Sequence, residues 1–115
     1  MIVLNAGETL AAVLTSSITT NQPEFSTHFI DVLADDDLPG SDKGTLSGST
    51  EITIVGVPSL ILRMVKTVFI YNKDTVAAEV SVVIAEGTTS CTICRRTLAP
   101  KATLTIDDNG INVDT

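Results

Sequence analysis

Aromatic side chains are scarce in this chain: no tryptophan, one tyrosine and three phenylalanines. Its interior must therefore be aliphatic, built from Val, Ile, Leu and Ala. A sugar cleft walled by aromatic rings, of the kind that paired catalytic carboxylates need, has little material here. Basic residues are outnumbered, 7 Lys and Arg against 14 Asp and Glu, for a net charge of -7. Binding a phosphate backbone rests on neutralisation by Lys and Arg, so nucleic acid is not an expected partner, nor is an anionic membrane surface. No apolar run approaches the roughly 20 residues that span a bilayer as a helix. The opening MIVLNAGETLAAVLTSS superficially resembles a secretion leader. It lacks a basic start, and Asn5, Gly7 and Glu8 interrupt its apolar run, so it reads as two strands of the fold.

Histidine occurs once, as His28, which allows at most one Ser-His or Cys-His pair. Ser26 lies two residues away on the same face of an expected strand, but nothing around Ser26 or Cys91 resembles a nucleophile turn. The two cysteines sit in SCTICRR. A Cys-x-x-Cys pair can mark redox chemistry or half a zinc site, yet the expected context is a strand. Alternation would send Cys91 and Cys94 to opposite faces, as two unrelated reduced thiols. A phosphate-binding glycine loop is absent; GSDKG lacks the Walker spacing and the helix that should follow. The best metal candidates are Asp35, Asp37 and Asp42 in an oxygen-rich stretch that suits a hard cation. The spacing is not that of an EF-hand, and charge in such a stretch is ordinarily solvated surface. No cofactor and no catalytic residue is expected.

What the chain does have is alternation. With 115 residues and 43% apolar content it is one domain able to bury a core without staples. Val, Ile and Thr favour extended backbone. Strands are expected at residues 1–4, 9–15, 25–34, 50–56, 61–71, 78–84, 88–98, 102–107 and 111–113, with a helix over TLAAVLTSS as the alternative for the second. Turn signals recur every eight to twelve residues, so the fold class is all-β: an antiparallel sandwich or small barrel of about eight short strands. Residues 35–49 read as a long surface loop, and the N-terminal segment as a possible extended arm. Residues 65–87 read as a hairpin about Asn72–Thr75. Asn109-Gly110 suits a type I′ turn. LNAGETL (4–10) and LAPKATL (98–104) share the frame L-x-x-x-x-T-L. On the strand at 61–71, Val65, Thr67, Phe69 and Tyr71 share one largely apolar face, which together with Leu38 and Pro39 forms the candidate interface.

The second half resembles small virion structural proteins of tailed bacteriophages. The resemblance rests on Ile70, Asn72 and Asp74 in a strand-ending turn. It continues through Thr97, Leu98, Ala99, Pro100, Thr103 and Leu104, and ends on Asp108, Gly110, Val113 and Asp114. Lys101 and Ala102 stand where that pattern carries Gly-Glu. The resemblance covers about half of the chain. It implies a non-enzymatic virion component made in the host cytoplasm: a capsid decoration protein, dimeric or trimeric, bound to the major capsid protein. A neck, tail or fibre-attachment component is the alternative. A carbohydrate-binding recognition module is a further one, for which only Phe25 offers a loop aromatic.

Overall fold

The structure, a computed structural model, describes residues 2–15, 21–34, 36–58 and 62–114. Among these residues there are ten strands and no helix. The strands are β1 (Ile2–Asn5), β2 (Thr9–Leu14), β3 (Glu24–Val32), β4 (Asp37–Thr45), β5 (Ile52–Val55), β6 (Leu62–Tyr71), β7 (Ala78–Glu86), β8 (Thr89–Leu98), β9 (Thr103–Asp107) and β10 (Gly110–Asp114). They form two antiparallel sheets. One runs β10-β9-β6-β3-β4, with β1 also on β6; the other runs β5-β2-β7-β8. The domain is a β-sandwich of 46 × 29 × 20 Å. TLAAVL is strand, not helix, because it lies between β5 and β7 and its backbone groups are used on both sides.

The interior is aliphatic. Leu4, Leu10, Ile54, Ile70, Val80, Val82, Leu98 and Leu104 are fully buried, and Phe25 and Phe29 are the aromatic members of the core. A few polar ties cross it. Thr27 Oγ1 donates to the Ile54 carbonyl at 2.9 Å, joining β3 of one sheet to β5 of the other. Arg63 grips Asp31 with two hydrogen bonds, from Nε at 2.7 Å and Nη2 at 3.0 Å. Its Nη1 donates to the Gly56 carbonyl at 3.0 Å, and the guanidinium lies 3.9 Å from the centre of the Phe29 ring. A planar, five-donor cation is the group that can satisfy two carboxylate oxygens, a carbonyl and a ring face together. No buried side-chain nitrogen or oxygen among the described residues lacks a partner.

Four features differ from the sequence expectation. The stretch read as a loop over 35–49 is largely strand β4, paired along its whole length with β3. It shows no alternation because most of its side chains are exposed. Its fit comes from two glycines: Gly40 lies opposite Phe29 and Gly44 opposite Phe25. A Cβ at Gly40 would stand 2.7 Å from the Phe29 ring, and one at Gly44 3.1 Å from the Phe25 ring. The phenyl rings thus occupy the space that side chains would take, a recognised way of supporting edge glycines.

Residues 65–87 are not a hairpin. β6 and β7 lie in different sheets, so the chain between them crosses the sandwich. A polar turn signal cannot distinguish the two outcomes; burial does, and Asn72 and Asp74 are buried. The N-terminal segment is not an arm, since Ile2–Asn5 pairs with Val65–Leu62. Finally, Asp107–Gly110 is a hairpin turn, but only Gly110 has positive φ, at 107°. A type I′ turn would need it at both central residues. Here the Asp107 carboxylate instead accepts from the Asn109 amide at 2.8 Å.

Candidate docking face

Strand β6 sits mid-sheet, with β3 on one side and β9 and β1 on the other. Strict alternation over ten residues would keep Val65 with Thr67, Phe69 and Tyr71. The structure breaks that set: His28 pairs with Thr67 and Phe29 with Val65, so Lys66 is an extra, bulged residue. Side-chain parity reverses across a bulge. Val65 therefore belongs to the core, while Phe69 is exposed and Thr67 and Tyr71 are partly so. Leu38 and Pro39 are exposed on β4, across from Asp31 and Ile30. Proline is tolerated there because β4 is an edge strand.

The outer face of the six-stranded sheet follows from the register. One cross-strand row is Lys43, Ser26, Phe69 and Thr105; the next is Thr45, Glu24, Tyr71 and Thr103. Ser41, His28 and Thr67 form a third. The rows alternate with Phe25, Ile70 and Leu104, which point into the core. Ser26 is small between Phe69 and Lys43, so the face dips there. The result is an open depression of about 630 Å³ lined by Glu24, Phe25, Ser26, Lys43, Gly44, Thr45, Phe69 and Tyr71. The chemistry on offer is an apolar wall, hydroxyls, one carboxylate and one ammonium. Lys73 lies 3.9 Å from Glu24, an exposed pair of the kind that contributes little stability.

The remaining candidate residues do not converge. Asp35 lies outside the described residues. Asp37 is opposite Val32 and Asp42 opposite Thr27, which places them on opposite faces of β4 five residues apart. Among the described residues no three His, Cys, Asp or Glu side chains are grouped to hold a metal ion. His28 is exposed beside Ser41 and Thr67, on the same face as Ser26.

The cysteines depart from the expectation of opposite faces. Val82 pairs with Cys94 and Val83 with Thr92, so Ile93 is bulged. Cys91 then falls opposite Ile84 and Cys94 opposite Val82, both on the inward side of β7. They differ in cover: Cys94 is buried and Cys91 exposed, and both are free thiols. Burial raises the Cys94 pKa, opposed by the Arg96 charge and a backbone hydrogen bond with Val82. Its thiolate, the reactive form, is thus disfavoured. Cys91 shares a second depression, of about 420 Å³, with Glu8, Ile84, Glu86 and Thr89.

Sequence reasoning missed Glu24, Ser26, Lys43 and Gly44 as a group. Their signal was the matched spacing of Phe25 and Phe29 with Gly40 and Gly44, which is legible only once β3 and β4 are known to pair. Set against known protein families, curated proteins and solved structures, the chain finds no match.

Proposed function

We propose that this is a non-enzymatic structural protein of a bacteriophage particle, acting as a capsid decoration protein that adheres to major capsid subunits. The observation that supports the reading is the packing of the segments carrying the resemblance. Asn72, buried in the β6–β7 crossing, donates from Nδ2 to the Leu98 carbonyl at 3.1 Å and the Ala99 carbonyl at 3.3 Å. Its backbone N–H donates to Ala102 at 2.9 Å, and it accepts from the Lys101 N–H at 2.8 Å. The Asn72-to-Asp74 turn and the Thr97-to-Pro100 turn thus lock together as one corner of the sandwich. Such residues are a pattern because they build a rigid scaffold, and the polar groups they bury are occupied in holding it.

A slab of this kind works by adhesion. Its edge strands β4 and β10 of one sheet and β5 and β8 of the other each pair on one side only, and its broad sheet face carries exposed Phe69. Repeated over a symmetric shell, individually weak contacts sum through avidity. The acidic chain would seat on a more basic shell surface and would not compete for packaged nucleic acid. The test is the stoichiometry of this chain in purified particles, combined with binding of the purified protein to undecorated shells. A copy number matching the shell lattice, with saturable binding, is the expected result. A single ring of copies would move it to the neck or tail, and absence from particles would end the virion reading.

A further inference from the structure

We propose that the outer face of the six-stranded sheet docks a second copy of this chain about a two-fold axis, Phe69 of each copy entering the depression of the other. The proposal deepens the structural role above by naming its self-association surface. Projection and recess sit side by side on one face: Phe69 stands 39% exposed at the wall of the depression it lines. A two-fold interface uses the same patch on both partners, so each contact occurs twice with roles exchanged. A patch holding both a projecting ring and an adjacent recess satisfies that requirement by itself.

Charge favours the same occupant. The chain carries -7, an overall repulsion between copies that a contact patch offsets best where it sets acid against base. The depression is lined by one acid, Glu24, and one base, Lys43. Across a two-fold these exchange, Glu24 of one copy facing Lys43 of the other, and electrostatic complementarity fixes register. Size is sufficient as well. The longer dimensions of the domain are 46 and 29 Å, room for the roughly 800 Å² per partner of a stable interface. Ser26, between Lys43 and Phe69 in one cross-strand row, is small enough to leave the recess open for a phenyl group.

Light scattering and sedimentation of the purified full chain test this. The expected wild-type mass is twice 12.1 kDa, at concentrations that Phe69→Asp reduces to the single-chain value by weakening association more than about tenfold. Lys43→Glu and Glu24→Lys, both at exposed positions, should each weaken the dimer, and the combined exchange should restore it. Far-UV circular dichroism checks that each variant keeps its strands; if Phe69→Asp does not fold, the charge variants decide. A wild-type monomer at high micromolar concentration overturns the proposal, as it would if a foreign protein covers this face. So does a dimer whose mass ignores all of these changes. A monomer that still binds shells would remove this docking surface and leave the structural role standing. A dimer that never binds particles would do the reverse.

Discussion

The chain passes between its two sheets twice with the same seven-residue frame, and the two corners differ in one residue that matters. Leu4-to-Leu10 carries β1 of one sheet into β2 of the other; Leu98-to-Leu104 carries β8 back to β9. All four leucines are fully buried. In each corner the fourth turn residue donates back to the first, Glu8 to Asn5 and Ala102 to Ala99, both at 3.0 Å. In each the third turn residue has positive φ and the second does not, which is the type II pattern. That third residue is Gly7, at 85°, in one corner and Lys101, at 66°, in the other.

Glycine enters this conformation freely, whereas an L-residue pays roughly 1–2 kcal/mol. The first corner is self-contained: beyond its turn bond, Glu8 only accepts from the Asn5 amide at 2.7 Å, in an exposed position. The second is held from outside, by the Asn72 hydrogen bonds and by Lys101 Nζ donating to the Lys73 carbonyl at 2.6 Å. A corner clamped by neighbours tolerates a strained residue that a free-standing corner would not. Pro100, pre-set for the second position of such a turn, adds to the same end.

The largest test of this contrast is Asn72→Ala. It removes the donor to the Val76, Leu98 and Ala99 carbonyls and the acceptor of the Asp74 amide. Buried groups left without partners cost about 1–3 kcal/mol each, so a loss of at least about 3 kcal/mol is expected by urea unfolding. Asn5→Ala, at an exposed site, should cost under about 0.5 kcal/mol. Equal losses at the two asparagines would break the comparison. Next comes Gly7→Ala. Its new Cβ would meet nothing closer than Glu86 at 3.9 Å, so the expected cost of about 1 kcal/mol is conformational. The smallest effect is Lys101→Gly, a gain of about 0.5 kcal/mol. Relief of positive φ exceeds the entropy that glycine adds to the unfolded chain, and a thermal shift of about +2 °C would show it. A loss there instead would mean that the Lys101 contact with Lys73 outweighs the strain.

The repeated frame was legible as letters, and so were the alternating strands around residues 52–55, 78–84 and 102–106. The docking face was legible in part. Phe69 and Tyr71 were marked by period-two spacing, and Thr67 with them. Val65 was misplaced because the bulge at Lys66 is set by pairing with β3, not by local composition. Strand β4 was hidden for a related reason. Its residues have weak strand preference, and what fits them to the sheet is the pair of phenyl rings on β3 lying over Gly40 and Gly44.

By itself the sequence determined the all-β class, the aliphatic core and the sites of most turns. Each of these follows from local preference and from the need to bury apolar surface. Only the tertiary structure decided which strands pair, that the Asn72 turn crosses between sheets, and where bulges reverse a face. Those outcomes depend on partners distant in the chain, and a buried amide or a bulged residue is written the same way as an exposed one.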